Sequence, residues 1–212
     1  MKLQTQPVRN ARSGAIPRWV IYTCSGCALF AVLAAGGLFF GGKYINDKFI
    51  KPGLDSEANW PKLQSLLPFE QRPAGMDLQF AMDIAGVQMF VLQQARLQVL
   101  VMNLPEAEGK ATKDAVTDPS SYKGLMGMGE RKNAQKMSIS LQGVDRKGMR
   151  FLQEGVPGAQ GSRTGASVIL DVSPEGTLRP LLVQLTRNDG SEEPIADDEI
   201  HRFFEPFRVG QR

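Results

Sequence analysis

Few residues of this chain have the types and spacing that catalysis needs. His201 is the only histidine. In a helix it would share one turn with Asp197 and Asp198, but a zinc site takes three or four ligands. The two aspartates are better explained as the acidic start of a helix, where they favour the helix dipole. No G-x-S-x-G elbow accompanies the histidine, so we predict no catalytic, cofactor-binding or metal-ligating residue.

One segment has the S-x-x-K spacing of penicillin-binding proteins and β-lactamases. It is Ser120-Ser121-Tyr122-Lys123, and Arg163-Thr164-Gly165 is similar to the K-T-G element of the same enzymes. The S-D-N element is missing, and Arg replaces Lys in the second element. The two elements also lie only about 40 residues apart, in a domain too small for that fold. We interpret the match as chance.

The glycine-rich segment 124–129 is a candidate contact surface. A phosphate-binding loop would follow a strand and open a helix, and this segment does neither. Its apolar side chains are flanked by basic ones, and methionine is common at adaptable binding surfaces. We therefore predict a partner-contact loop, although the segment could also simply pack onto a sheet. Its residues are Lys123, Leu125, Met126, Met128, Arg131 and Lys132.

The two cysteines, Cys24 and Cys27, have the C-x-x-C spacing of thioredoxin-like redox motifs, which requires a βαβ context. Here they lie in an apolar stretch without a charge to stabilise a thiolate. Small residues recur near helical spacing along the same stretch, and such faces favour pairing of membrane helices. A possible homodimer would use the face formed by Cys24, Cys27, Ala31, Ala35, Gly37 and Gly41.

Residues 19–42 contain no charged side chain, and about 20 apolar residues suffice for a transmembrane helix. Four basic residues and no acidic one precede this stretch, which predicts a cytoplasmic N-terminus and an extracytoplasmic C-terminal domain. A cleavable signal usually has a shorter apolar region, although Ala35-Gly36-Gly37 could be a cleavage site. The sequence predicts a single-pass signal anchor in a cell membrane, with the domain in a compartment such as the bacterial periplasm.

The predicted organisation has four parts. A basic cytoplasmic tail (1–18) and the transmembrane helix (19–42) precede a membrane-proximal linker (43–57) and an extracytoplasmic domain (58–212) with a long loop at 105–135. After residue 42 the chain has 21 of its 25 Lys and Arg residues and all 22 of its Asp and Glu residues, so this part is close to neutral. A nucleic-acid binder would show a basic excess, so we predict no nucleic-acid partner.

The hydrophobic pattern of the domain predicts an α+β fold. Asp55 or Ser56 can cap a helix, and alternation follows in three strands of a meander, with Leu78, Phe80, Met82 and Ile84 on one side of the first. Further strands are predicted at 136–141, 149–154, 167–172 and 178–186, with a turn at 144–148, and a last helix at 196–204. The result is one antiparallel sheet of about seven strands with short helices at both ends. With the closing pair Phe207-Arg208, this order resembles the PsbP-type α+β architecture, which implies a fold and no function.

Three classes of function are compatible with these features. The favoured one is a non-catalytic binding or assembly module held at the membrane, with the bilayer and a protein as partners. The second is a domain that binds a small molecule or lipid, for which a pocket between sheet and helix would be the sign. The third is an extracytoplasmic hydrolase using scattered carboxylates and His201.

Overall fold

The computed structural model describes residues 47, 50–107, 131–154 and 164–209. All of them belong to one compact unit, Asp47–Arg212. Two helices, α1 (Lys51–Leu54) and α2 (Ser56–Leu66), precede the strands β1 (Met76–Ile84), β2 (Val87–Gln94), β3 (Leu97–Asn103), β4 (Arg131–Leu141), β5 (Val144–Glu154), β6 (Thr164–Asp171) and β7 (Leu181–Arg187), and the helix α3 (Asp197–Phe204) follows them.

The seven strands form one sheet in the order β1-β2-β3-β7-β6-β5-β4. Every neighbouring pair is antiparallel, so the predicted seven-stranded antiparallel sheet with few, short helices is confirmed. The two edge strands of the sheet are β1 and β4. Residues 51–57, which the sequence assigns to the linker 43–57, form α1 and the beginning of α2.

The capping prediction for α2 is confirmed. Asp55 is the N-cap, and its carboxylate accepts a hydrogen bond of 3.1 Å from the backbone N–H of Ala58. This bond satisfies one of the free N–H groups at the helix start. Trp60 and Leu63 are buried, and α1 and α2 both pack beside β1. The helices therefore lie along one edge of the sheet.

The predicted side-chain alternation of β1 is wrong beyond its first half. Leu78 is buried as expected, but the next buried residue is Ala81, and Ile84 is exposed. The reason is a β-bulge between Leu78 and Phe80, because one extra residue moves all later side chains to the opposite face. The bulge places a small alanine where α1 comes closest to the strand.

The predicted turn at 144–148 is also wrong. The β4–β5 hairpin turns at Gln142 and Gly143, and Val144 to Gly148 already belong to β5. Gly148 was misleading because glycine usually marks a turn. Here it lies in the sheet, where a Cβ atom would come within 2.1 Å of the carbonyl oxygen of Ile169.

Each face of the sheet contains a buried apolar cluster. The first face, which we call the helix face, packs against α2 and α3 and contains an aromatic cluster in which edge-to-face pairs join Phe69 to Trp60 and to Phe207. Phe69 and Phe207 also form an isolated antiparallel bridge. The second face contains a smaller buried cluster consisting of Met102, Leu104, Met149, Phe151, Ile169 and Leu182.

Candidate functional site

The strand β4 is the other edge of the sheet, and among the described helices α3 contacts it. After a bulge, its pairing with β5 is regular from Gln135 opposite Arg150 to Leu141 opposite Val144. No described strand pairs with its other side. Along this stretch Ile139 and Leu141 are buried towards the helix face, whereas Lys136, Ser138 and Ser140 are exposed. We call Lys136–Leu141 the open edge, and its free backbone N–H and C=O groups can pair with another chain.

The beginning of β4 is fixed by two basic residues that the sequence predicts to contact a partner. Arg131 lies with its guanidinium carbon 4.0 Å from the ring centre of Phe151, and its Nη2 donates to Oε1 of Gln184 at 3.4 Å. Lys132 forms an ion pair with Glu154 across the β4–β5 ladder. Both residues belong to a strand, so β4 begins inside the predicted loop 105–135.

A β-bulge separates these two residues from the open edge. The pairing of β4 with β5 shifts between Lys132 and Gln135, and Asn133 has a φ of 54°. Asparagine tolerates this left-handed conformation better than most residues. Bulges are common at sheet edges, where they bend the strand and end regular pairing. Only the second half of β4 therefore presents regularly spaced backbone N–H and C=O groups on its outer side.

A buried polar network continues from Arg131 across the second face. Gln184 donates through Nε2 to Oε1 of Gln153 at 2.6 Å and to Oγ1 of Thr186 at 3.2 Å, and the Ser167 hydroxyl donates to the same threonine oxygen at 3.0 Å. All four side chains are buried. Because a buried polar group without a partner is costly, this network holds Arg131 and the strand ends in one arrangement.

A small cleft of about 280 Å³ lies beside the bulge, between Gln135, Arg150, Glu192 and Ile195. Arg150 forms an ion pair with Asp197 at the start of α3. Its Nε atom is buried without a hydrogen-bond partner among the described residues. The cleft has a mixed polar and apolar lining and is slightly smaller than the usual 300–1,000 Å³ of small-molecule pockets.

The residues considered for catalysis do not meet. His201 is exposed on α3, in a shallow depression with Gln142 and Glu205, while Asp197 pairs with Arg150. Within residues 50–107, 131–154 and 164–209, no three His, Cys, Asp or Glu side chains are grouped as metal ligands would be. Asp197 is thus engaged by Arg150 rather than by His201.

The helix α3 is held beside the sheet by an ion pair between the buried Arg187 and the partly buried Glu199. Both carboxylate oxygens of Glu199 accept hydrogen bonds from Arg187, at 2.9 and 2.7 Å. Burial raises the pKa of Glu199. The hydrogen bonds from Arg187 and from the Ala196 N–H lower the pKa, as do the positive charges of Arg187 and Arg202, and together they outweigh burial. The net pKa therefore lies below its ordinary value.

Several predicted residues lie outside the described part of the chain. They are the loop residues Lys123, Leu125, Met126 and Met128 and the helix-pairing residues Cys24, Cys27, Ala31, Ala35, Gly37 and Gly41. The predicted transmembrane stretch 19–42 also lies outside it. Among the helices that are described, none has the length and apolar character needed to cross a bilayer.

Sequence reasoning missed Gln153, Gln184 and Arg150. One signal was present, because Gln184 interrupts the apolar run of β7, LLVQLTR. A glutamine inside a buried strand needs a hydrogen-bonding partner. Neither the models of known protein families nor the curated proteins include a match to this chain.

Proposed function

We propose that this protein is a single-pass membrane-anchored, non-catalytic module whose extracytoplasmic domain binds an extended segment of a protein partner. The observation that carries the proposal is the open edge of β4. Addition of a strand to an exposed sheet edge is a recurring mode of peptide recognition, in which main-chain hydrogen bonds give affinity and alternate side chains give specificity. Lys136, Ser138 and Ser140 would supply the specificity.

The rigidity of the β4 strand supports this proposal. The stacked Arg131, the Lys132–Glu154 pair and the polar network around Gln184 fix one end of the strand, and Ile139 and Leu141 fix the other in the core. A preformed edge binds with a smaller loss of conformational entropy than a mobile one. The small neutral side chains of Ser138 and Ser140 leave room for a partner strand.

The anchor is proposed from the sequence of residues 19–42 and their flanks. The uncharged stretch has the length of a membrane-spanning helix, and the basic residues before it favour a cytoplasmic N-terminus. The domain would then be held in an extracytoplasmic compartment such as the periplasm. The loop residues Lys123, Leu125, Met126 and Met128 would add to the contact with a partner, and a small-residue face from Cys24 to Gly41 would allow helix pairing.

A second candidate function is binding of a small anionic molecule. The cleft beside the bulge favours it, because Arg150 lines the cleft and its buried Nε has no hydrogen-bond partner among the described residues. Replacement of Arg150 by Lys would keep the charge but remove the guanidinium geometry. A small ligand that stabilises the native chain against heat and not the Arg150→Lys variant would identify this function.

Photo-crosslinking in native membranes tests the main proposal. A photoreactive amino acid at Ser138, on the open edge, should form a crosslink to a discrete protein. The matched control is Gln79, an exposed position on the opposite edge strand β1, and it should give no such crosslink. Equal crosslinking at both positions, or none at Ser138, would contradict the proposal. Resistance of the chain to carbonate extraction tests the anchor separately.

A further inference from the structure

The β4–β5 turn fixes the hydrogen-bonding pattern of the open edge. Gln142 and Gly143 both have a positive φ, of 51° and 81°, as the two central residues of a type I′ turn do. The flanking residues of such a turn, here Leu141 and Val144, form a hydrogen-bonded pair. Bonded and non-bonded pairs alternate along an antiparallel ladder. The odd-numbered residues of the open edge therefore bond to β5, and the even-numbered residues direct their N–H and C=O groups outward.

Three exposed residues carry these outward groups, namely Lys136, Ser138 and Ser140. Lys136 lies opposite Met149, which belongs to the buried cluster of the second face, so the three side chains lie on that face. Outside the ladder, no hydrogen bond between described residues uses their backbone groups. A partner strand can therefore bond to all three without displacing a contact within the described chain.

The two ends of the open edge limit where such a strand can lie. At one end, the bulge at Asn133 interrupts the ladder. At the other end α3 contacts β4, and the side-chain amide of Gln142 donates to the carbonyl oxygen of Phe204 at 3.4 Å. A strand that pairs with β4 is thus best centred near Ser138, which is remote from the bulge and from this contact.

A second copy of β4 matches the open edge by symmetry. Opposite residues of an antiparallel pair lie on the same face, so a twofold axis between two identical strands passes through a residue that faces itself. With the axis at Ser138, Lys136 of each copy lies opposite Ser140 of the other. All three outward residues then form hydrogen-bonded pairs, each of which exchanges two N–H···O bonds. An axis at Met137 or Ile139 would place one outward residue against the bulge or the turn.

The charges of the second face are complementary in this register. Asp145 lies opposite Ser140 in the β4–β5 ladder, so Lys136 of the second copy would lie two strands, or about 10 Å, from it in the same row. The serine between them is small, and a lysine side chain can reach across it. Lys136 and Asp145 are exposed and form no ion pair within the described ranges. An exposed ion pair adds little affinity, but it favours this register over one that brings two lysines together.

We propose that the segment bound at the open edge is β4 of a second copy of this chain, so that two sheets join into one across a twofold axis at Ser138. The inference rests on the proposed function and names its partner. On the helix face, the half-buried Met137 would lie opposite Ile139 of the second copy and lose further apolar surface to the contact. The same strand would then be both the binding site and the bound segment.

Disulfide trapping in the detergent-solubilised full chain tests the register, with Cys24 and Cys27 replaced by Ala in every variant. Residues of a hydrogen-bonded pair have Cα atoms about 5.5 Å apart, which a disulfide can join. Ser138→Cys should therefore link two copies. Ser140→Cys should not, because two copies of residue 140 would be about 14 Å apart. A mixture of Lys136→Cys and Ser140→Cys chains should link one to the other. Gln79→Cys, exposed on β1, is the control for random collision.

A proline variant tests whether the backbone makes the contact. The N–H of Ser138 points away from β5, and proline is tolerated at an edge position of this kind. Adding Ser138→Pro to both chains of the mixture should lower disulfide formation at least about tenfold, because both bonds at the axis need this N–H. Ser138→Ala keeps the N–H and should leave disulfide formation unchanged. Thermal unfolding identifies any variant that fails to fold.

The outcomes separate the second copy from the proposed function. Equal trapping of the 138, 140 and 79 variants, or undiminished trapping in a folded Ser138→Pro chain, would overturn the twofold pairing. A photo-crosslink from position 138 to a different protein, without a Ser138→Cys disulfide, would overturn the second copy and leave strand addition to the open edge standing. If neither the disulfide nor any photo-crosslink forms at position 138, both proposals are wrong.

Discussion

The two edge strands of the sheet, β1 and β4, have different surroundings. At β1, the helices α1 and α2 pack beside the strand, and Gly53 lets the first helix approach the strand backbone closely. At β4, a bulge, Arg131 and Lys132 occupy the first half, whereas Lys136–Leu141 pairs regularly with β5 on its inner side. Exposed edges invite pairing with other chains, and proteins usually blunt them with bulges, lysines or covering helices. Two helices pack beside β1, whereas α3 is the described helix that contacts β4, and a bulge interrupts the first half of that strand.

The contrast separates residues needed for stability from residues available for binding. Covering β1 buries aromatic and aliphatic side chains, so changes there should mainly lower the free energy of unfolding. The open edge exposes small polar side chains, so changes there should mainly alter association. The following variants test that division, beginning with the largest expected effect.

Leu63→Ala removes a fully buried side chain from the helix that covers β1. We expect the free energy of unfolding to fall by about 3–4 kcal/mol, because lost burial and a new cavity both contribute. Urea unfolding of the full chain measures the loss. The exposed Ser65→Ala on the same helix should change it by less than about 0.5 kcal/mol. A small effect of Leu63→Ala would mean that the cover of β1 is dispensable.

Glu199→Gln should lower the free energy of unfolding by about 2–3 kcal/mol, because it leaves the buried Arg187 without its carboxylate partner. The folded-state pKa of Glu199 is lowered, so the pair stabilises fully above the unfolded pKa of about 4.3. That stabilisation is lost as the pH falls through the lower folded pKa. The difference in the free energy of unfolding between the variant and the native chain should stay constant between about pH 7 and 5 and shrink below pH 4. Asp198→Asn, in an exposed ion pair, is the control and should have little effect at any pH.

Gln184→Leu should lower the free energy of unfolding by about 1–3 kcal/mol, because the buried Gln153 loses its hydrogen-bond donor, whereas Thr186 keeps the bond from Ser167. The double variant Gln153→Leu, Gln184→Leu should be less destabilising than the sum of the two single changes. Urea unfolding of all three variants measures the coupling. Strict additivity would show that the two amides do not act as a pair in fixing the start of β4.

Lys136→Val should change stability by less than about 0.5 kcal/mol, since the side chain is exposed. It should instead increase self-association, because removing an edge lysine makes β4 easier to pair. Analytical ultracentrifugation in detergent measures this change. Gln79→Val at the bulge of β1 is the matched control and should leave the association state unchanged. Equal association of both variants would remove the difference between the two edges.

The sequence predicted those parts of the fold where periodicity is undisturbed. The Asp55 cap, the β1–β3 meander and the amphipathic helix ending in Phe204 all follow from local patterns. The bulges at 78–80 and 132–135 were not predictable, because an extra residue in a strand has no consistent sequence signature. Most of the candidate site was also not predictable from the sequence. Which strand becomes an edge depends on pairings between β3 and β7, and no local pattern encodes such distant contacts.

The contact between the two ends of the domain also affects its synthesis. Arg208 forms an ion pair with Glu70, 138 residues earlier, and Phe207 completes the cluster around Phe69. Contacts between residues so distant in sequence form slowly, and these cannot form until residue 207 has left the ribosome. Until then Trp60 and Phe69 lack their final neighbour, and a growing chain would need protection from aggregation. Emergence of residues 207 and 208 from the ribosome, rather than assembly of the first hairpins, would therefore determine when this domain becomes safe from misfolding.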